Sequence, residues 1–242
     1  HDEEITCLCV SQSGRFAATS QLGSTKRKGR FATVVVWNLK SKKAEYQIDY
    51  HINMVYSLCF THDDRFLLTS GESDLCVWDM DNGKLAGGLK FEKPVQFVKS
   101  APLSEDFNPR RPEYTLVAAT ESQVRVCKWK FDIKSMQFML SSEICALPGR
   151  IAGFNRTYLE GAIDDTGSFC YAGTMTGEVI VFAIKNAIFR TSEQVSSNGV
   201  QSLCPFGSEL YVGSGDGTIK HLRGSDTKWS LVRETKVSGS VT

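Results

Sequence analysis

The sequence predicts an all-β fold built from repeated units of four short antiparallel strands. Runs of four to seven residues alternate between apolar and polar side chains, and Gly, Asp, Ser and Asn separate them. Long segments with a helical period are missing. The runs also recur, because residues 5–20, "ITCLCVSQSGRFAATS", match residues 55–70, "VYSLCFTHDDRFLLTS", at an offset of 50 residues.

The first two units have the same order of strands. In each, a strand leads through a four-residue polar turn into a second strand that begins after Arg-Phe. A third strand follows and ends near a tryptophan, Trp37 in the first unit and Trp78 in the second. The fourth strands are "AEYQIDY" and "LAGGLKF". We therefore place the first two units at about residues 1–50 and 51–91.

Three later units are less regular but keep the same order. They are predicted at about residues 92–147, 148–195 and 196–236, and residues 237–242 are expected to begin a further unit. Other residues replace the tryptophan at the end of the third strand. These are Cys127 (with Trp129 on the same face), Phe182 and Leu222.

Composition argues against several classes of partner. The net charge of the 242 residues is +1, which gives no general attraction for nucleic acid or an anionic membrane. No apolar run approaches the roughly 20 residues that cross a bilayer, and no secretory signal is visible. Because His1 stands where a Met would begin a protein, the sequence is expected to be part of a longer chain.

The cysteines and histidines predict no metal site. The eight cysteines include no Cys-x-x-Cys pair, and none of the four histidines lies in a cluster with them. Most cysteines lie in apolar alternating runs, so we expect reduced, buried thiols. The histidines are far apart in the sequence, and no nucleophile, His and acid converge. No catalytic residue, metal or cofactor is therefore expected, nor a small-molecule substrate, because an active site would need a convergent polar cluster.

Three short motifs resemble sites but are predicted to be turns. "DMDNGK", residues 79–84, lacks the flanking helices and the Glu of a calcium loop. "DDTG", residues 164–167, has no second copy to complete an aspartic-protease dyad. "GSGDG", residues 213–217, precedes a strand, whereas a phosphate-binding loop precedes a helix.

A four-stranded unit whose third strand ends in Trp78-Asp79 resembles a WD40 propeller blade. This resemblance covers the whole chain. It implies a WD40 β-propeller with about five blades and the start of a sixth, within a ring that commonly has about seven. In the family, a His, a Ser or Thr, an Asp and the Trp form a structural hydrogen-bonded set. The resemblance carries this set onto the second blade as His51, Ser70, Asp74 and Trp78.

The order of the irregular blades resembles one family more closely. "ATSQ" in the first blade is followed by a Gly/Lys/Arg-rich loop, and the fourth blade reads "IDDTGSFCYAGTMTGEVIVF". These features, with "QSLCPFGSELYVGSGDGTI" in the fifth, resemble the N-terminal propeller of a cilia- and flagella-associated family of two-propeller WD-repeat proteins. The resemblance implies a non-enzymatic protein of the cytoskeleton, in the axoneme of cilia and flagella, whose partners are tubulin and neighbouring axonemal proteins. The alternatives are a microtubule binder of the echinoderm microtubule-associated-protein-like family and a WD40 adaptor that reads peptides on its top face.

Two long loops are candidate surfaces for a protein partner. The first joins the second and third strands of the first blade and, by the resemblance, opens on the top face. It carries Lys26, Arg27, Lys28 and Arg30. The second, "PLSEDFNPRRPEY", spans residues 102–114 on the opposite face and carries Arg110 and Arg111. Each loop could instead be a solvated insertion.

Overall fold

β-Strands account for nearly all of the regular structure. The computed structural model describes residues 3–23, 31–152, 154–225 and 228–237. Over these residues the helical segments are a single α-helical turn, α1 (Gly149–Ala152), and a 3-10 turn (Ile184–Asn186). Neither is long and apolar enough to cross a membrane.

The strands form five four-stranded antiparallel sheets, and each sheet contains four strands that are consecutive in the sequence. The all-β prediction of four-stranded antiparallel blades is therefore confirmed. The strands of the first two blades are β1 (Ile5–Val10), β2 (Phe16–Gln21), β3 (Val34–Asn38), β4 (Lys43–Ile48), β5 (Ser57–Phe60), β6 (Phe66–Ser70), β7 (Asp74–Asp79) and β8 (Lys84–Lys90).

The remaining three blades follow in the same way. The strands are β9 (Val95–Ser100), β10 (Glu113–Thr120), β11 (Val124–Asp132), β12 (Gln137–Ile144), β13 (Tyr158–Ile163), β14 (Phe169–Thr174), β15 (Glu178–Ala183), β16 (Ile188–Gln194), β17 (Val200–Phe206), β18 (Glu209–Ser214), β19 (Thr218–Ser225) and β20 (Lys228–Lys236). The further blade expected at residues 237–242 falls almost wholly outside the described residues, and the larger ring stays a prediction.

A β-bulge marks the same place in four blades. The pairing between the third and fourth strands shifts just before Trp37, Trp78, Phe182 and Leu222. A bulge bends its strand and increases the local twist. The shared shift shows that these four residues hold equivalent positions, although only two of them are tryptophans.

The short motifs are turns, as predicted. In the first, Gly83 has a φ of +68° and the side chain of Asp79 accepts a hydrogen bond from the backbone N–H of Asp81. In the second, the Asp164 carboxylate accepts the backbone N–H of Phe169 at 2.7 Å. In the glycine-rich motif, Asp216 accepts the backbone N–H of Thr218 at 3.0 Å, between β18 and β19.

The chain divides into two compact units. One comprises residues 1–115 and 128–141, and the other comprises residues 116–127 and 142–242. In the compact unit that begins at residue 1, an apolar core joins the first two blades, with Val36, Leu67 and Trp78 among its members. In the second unit, an apolar core joins the last two blades and includes Tyr171, Val181, Leu210 and Trp229. All eight cysteines are free thiols.

Candidate functional site

The second blade contains a chain of buried hydrogen bonds. The indole Nε1 of Trp78 donates to Thr69 Oγ1 at 3.0 Å, and Thr69 Oγ1 lies 2.7 Å from His51 Nε2. His51 Nδ1 lies 3.3 Å from Asp74 Oδ1. The indole can only donate. If each later link also donates towards the carboxylate, Thr69 donates to Nε2 and the neutral His51 carries its proton on Nδ1, facing Asp74.

The hydroxyl in this chain belongs to Thr69, whereas the sequence analysis placed Ser70 there. Leu67 is the cross-strand partner of Trp78, and Thr69, two residues further along β6, faces the same side of the sheet. Ser70 therefore faces the other side, where its hydroxyl lies 3.5 Å from the carbonyl of Ser57. The structure thus brings His51, Asp74 and Trp78 together through Thr69, and Ser70 is not a member.

A tight turn between β6 and β7 positions the acidic end of the chain. The backbone N–H of Gly71 donates to the carbonyl of Asp74 at 2.8 Å. A side chain at Gly71 would overlap the imidazole ring of His51 and approach the Asp74 carboxylate within 2.9 Å. Glycine is required at this position because His51, from the connection between β4 and β5, approaches the backbone so closely.

Asp74 is held in its ionised form by two partners. His51 contacts Oδ1, and the Lys90 ammonium donates to Oδ2 at 2.9 Å. The hydrogen bond from His51, reinforced by Lys90, lowers the pKa of Asp74 to about 2, although burial opposes this shift. Burial, followed by the charge of Asp74, raises the pKa of the neighbouring Cys76 thiol to about 12. The network therefore has an ionised carboxylate, Asp74, next to a neutral thiol, Cys76.

Tyr50 covers one side of the network. Its ring makes edge contacts with the ring of His51, at a centroid distance of 5.2 Å, and with Trp78, at 5.5 Å. These T-shaped contacts suit the quadrupoles of the rings. Tyr50 and Lys90 also line a cavity of about 250 Å³ beside His51 and Asp74.

In the first, second and fourth blades, the tryptophan and its hydroxyl partner are present or replaced together. In the first blade, Trp37 Nε1 donates to Thr19 Oγ1 at 2.8 Å, which repeats the Trp78–Thr69 pair. In the fourth blade Phe182 stands opposite Cys170, and Ala172 takes the place of the threonine. A phenyl ring needs no acceptor, so the hydroxyl has no role there.

The fourth blade replaces the His51–Asp74 pair with an ion pair that the sequence analysis missed. Glu178 is the first residue of β15, at the register position that Asp74 holds at the start of β7 in the second blade. Its carboxylate accepts the Nε–H of Arg156 at 2.8 Å. The arginine side chain is only 7% exposed and also donates to the carbonyl of Ile151 at 2.6 Å. An acidic residue at the start of a third strand was the available signal in the sequence.

The long connection before β10 is anchored to the blade beside it. Phe107 packs on Tyr114 with ring centroids 5.5 Å apart, and the Tyr114 hydroxyl donates to Asp63 at 2.7 Å. Burial and the Asp63 carboxylate raise the pKa of this hydroxyl, so it remains a donor. The side chain of Asn108 accepts the backbone N–H of Arg110 at 2.9 Å. These contacts give the two arginines of this loop a defined backbone.

The arginine side chains themselves are available to a partner. Arg110 and Arg111 are exposed, and neither forms an ion pair within the part of the chain that the structure describes. Lys130, by contrast, lies 3.0 Å from Glu113 and lowers the pKa of that carboxyl by its hydrogen bond. The other predicted basic loop, with Lys26, Arg27, Lys28 and Arg30, lies outside the described residues.

Comparison with known proteins identifies the type of repeat. Residues 43–79 match the family model described as the WD domain, G-beta repeat. This segment contains β4 to β7 and, with them, the whole His51–Trp78 network. The match thus falls on the most regular part of the chain.

Similar proteins extend the comparison along the full length. Cilia- and flagella-associated protein 52 of Chlamydomonas reinhardtii is 27% identical over 100% of this chain and 37% of its own length. The human protein of the same name is 22% identical over the same shares. Human WD repeat-containing protein 90 is 26% identical over 91% of this chain but 12% of its own length. The chain therefore spans little more than a third of the first of these relatives.

A solved structure supports the fold. The β-propeller domain of Cps50 (Swd1) from Myceliophteria thermophila superposes with a TM-score of 0.76, covering 98% of this chain and 74% of that one, at 18% identity. At this identity the likeness concerns fold alone. The chain is accordingly a set of WD40 β-propeller blades, and over its whole length it is similar to cilia- and flagella-associated protein 52.

Proposed function

We propose that this chain is part of a non-enzymatic scaffold of cilia and flagella that binds tubulin and neighbouring axonemal proteins. The observation that carries the proposal is the similarity to cilia- and flagella-associated protein 52, which extends over 100% of the chain. The names of these relatives support a location in the cilium or flagellum. To this location the proposal adds the binding partners, tubulin and neighbouring proteins of the axonemal doublet.

The chemistry of the polar groups supports a scaffold. The Trp78–Thr69–His51–Asp74 chain is buried, and its members satisfy one another. A catalytic acid or base instead needs a pKa near the working pH. Asp74, with its pKa near 2, would be a weak base. The network therefore suits a role in holding the blade together.

The exposed arginines supply the candidate contact. Tubulin presents an acidic surface, and each exposed ion pair contributes only about 0.2–1 kcal/mol. Arg110 and Arg111 lie on an anchored loop, so little order is lost when they bind. We expect them, with Lys26, Arg27, Lys28 and Arg30 on the other loop, to steer and orient docking onto an acidic partner.

The test is retention of the full-length protein on isolated axonemes over a series of salt concentrations. Arg110→Ser with Arg111→Ser, and separately the fourfold change of Lys26, Arg27, Lys28 and Arg30 to Ser, should release the protein at lower salt. The matched control is Lys40→Ser with Lys43→Ser, which removes two exposed charges from the turn before β4 and from the start of β4.

Loss of retention in either loop variant, but not in the control, supports docking through that loop. If wild type, both loop variants and the control are retained equally at every salt concentration, the proposed docking through the basic loops is refuted. Failure of the wild-type protein to bind axonemes at all, with capture of soluble partners instead, would refute the axonemal scaffold and favour a general adaptor.

A further inference from the structure

The strongest unassigned cluster lies at the acidic end of the buried network. His51, Asp74 and Cys76 each offer one ligand atom, and the three atoms lie within 4.8 Å of one another. All three residues are buried. We propose that His51 Nδ1, Asp74 Oδ1 and Cys76 Sγ bind a divalent transition-metal ion of the zinc type.

The donor set and its spacing suit such an ion. Zinc is commonly bound by imidazole nitrogen, thiolate sulfur and carboxylate oxygen. Bonds of about 2.0–2.3 Å to tetrahedral zinc separate neighbouring ligand atoms by roughly 3.3–3.7 Å. His51 Nδ1 and Asp74 Oδ1 already lie 3.3 Å apart. Cys76, two residues beyond Asp74, can supply the third corner through a small movement of its sulfur.

Space and access are also present. A cavity of about 250 Å³ opens beside His51 and Asp74, and a second cavity, of about 220 Å³, opens beside Asp74 and Cys76. Water in either space can provide the fourth ligand that zinc requires. Lys90 competes for the other oxygen of Asp74, but its side chain is 74% exposed and can move into solvent.

Proton movements accompany binding. The Nδ1 proton that faces Asp74 must move to Nε2, so that the Nδ1 lone pair reaches the ion. The Thr69 hydroxyl then accepts both Nε2–H and the Trp78 indole N–H, because it has two lone pairs. Cys76 releases its thiol proton to solvent and binds as a thiolate. One proton leaves for each ion bound, and the hydrogen bond that Nε2–H donates to Thr69 orients the imidazole.

Cobalt(II) is the probe, since a thiolate bound to it gives a near-ultraviolet charge-transfer band. The full chain, without an affinity tag and after removal of metals, is titrated with cobalt(II) at constant pH. The wild type should bind one ion with this band, and Cys76→Ser should lose it. Cys127→Ser, which alters another buried thiol in a third strand, should keep the band. Absence of the band in wild type, or the same band in Cys76→Ser, overturns the proposal.

Lys90→Met provides a second variant on which the fold does not depend, because the side chain is exposed. Removing this competitor for Asp74 should tighten cobalt(II) binding about 5-fold, the change that corresponds to the loss of one exposed ion pair. The ¹⁵N spectrum of His51 should also change from the Nδ1–H to the Nε2–H tautomer when zinc is added. Unchanged affinity in Lys90→Met, or an unchanged His51 tautomer at saturating zinc, would likewise overturn the proposal.

Discussion

The second and fourth blades hold the same strands together with different chemistry. In the second, a chain of hydrogen bonds runs from Trp78 to the carboxylate of Asp74. In the fourth, Phe182 fills the indole position without a polar partner, and the Arg156–Glu178 pair occupies the acidic end. Blade geometry therefore does not require tryptophan. In both of these blades a large apolar side chain follows the bulge, and the acid that begins the third strand has a basic partner.

The two blades should lose different amounts of folding free energy when their basic residue is removed. A charge that is buried and loses its partner is more destabilising than an unsatisfied neutral group. Arg156 is buried and also binds the backbone of the preceding loop, whereas His51 connects two side chains. We therefore expect the fourth blade to depend more strongly on its ion pair, and the second to depend more strongly on its tryptophan.

The largest effects are expected for the buried rings. Trp78→Ala and Phe182→Ala should each lower the free energy of unfolding by about 3–5 kcal/mol, because each leaves a cavity. Denaturant titration of both variants measures this directly. The exposed ring of Phe206 serves as a control, and Phe206→Ala should have little effect. A Trp78→Ala variant within half a kcal/mol of wild type, roughly the size of a surface substitution, would show that the blade core is misassigned.

Removing the basic partner should destabilise the protein more in the fourth blade than in the second. Arg156→Met leaves Glu178 unpaired and should cost about 3–5 kcal/mol. His51→Ala should cost about 1–3 kcal/mol, since Thr69 loses a hydrogen-bond partner while Asp74 keeps its ion pair with Lys90. Arg223→Met, which breaks an exposed contact to Glu209, is the control. If His51→Ala proves more destabilising than Arg156→Met, the proposed difference between the blades is reversed.

The pH dependence of stability isolates Asp74. Its pKa in the folded chain, about 2, is below the ordinary value of 3.8. Its contribution is therefore fully present above pH 4 and is lost as the pH falls towards 2. Allowing for screening by solvent, the loss should be about 1–2 kcal/mol. Unfolding measured with a chelator present should show this loss in wild type but not in Asp74→Asn. A parallel pH dependence in the two proteins would contradict the assignment.

The smallest effect is expected when the Trp78–Thr69 pair of the second blade is replaced by the residues of the fourth blade. Trp78→Phe removes the indole N–H but keeps the ring, and should cost about 1 kcal/mol because Thr69 loses a partner. Adding Thr69→Ala reproduces the Phe182 and Ala172 arrangement of the fourth blade. The two changes should be less costly together than the sum of the single changes, as for residues in one network. If the changes in unfolding free energy are strictly additive in this double-mutant cycle, the Trp78–Thr69 hydrogen bond does not couple the two residues.

The repeat pattern was sufficient to predict the blades and their strands. Period-two alternation and polar turns located β10 and β16 even where the tryptophan is missing, since these features come from burial on one face of a sheet. The pattern could not decide between Thr69 and Ser70, because both follow the same apolar run and only the cross-strand register shows which one faces Trp78. Arg156 and Glu178 are far apart in the sequence, so their pairing emerges only from the folded backbone.

The central claim is that the buried networks stabilise the blades while exposed arginines dock the scaffold. The most direct test measures thermal stability and axonemal retention on the same preparations of two variants of the full-length protein. We expect Arg110→Ser with Arg111→Ser to reduce retention at moderate salt and leave the melting temperature unchanged. We expect His51→Ala to lower the melting temperature while the folded protein is retained like wild type. Loss of retention in folded His51→Ala, with full retention of the arginine variant, would contradict the account.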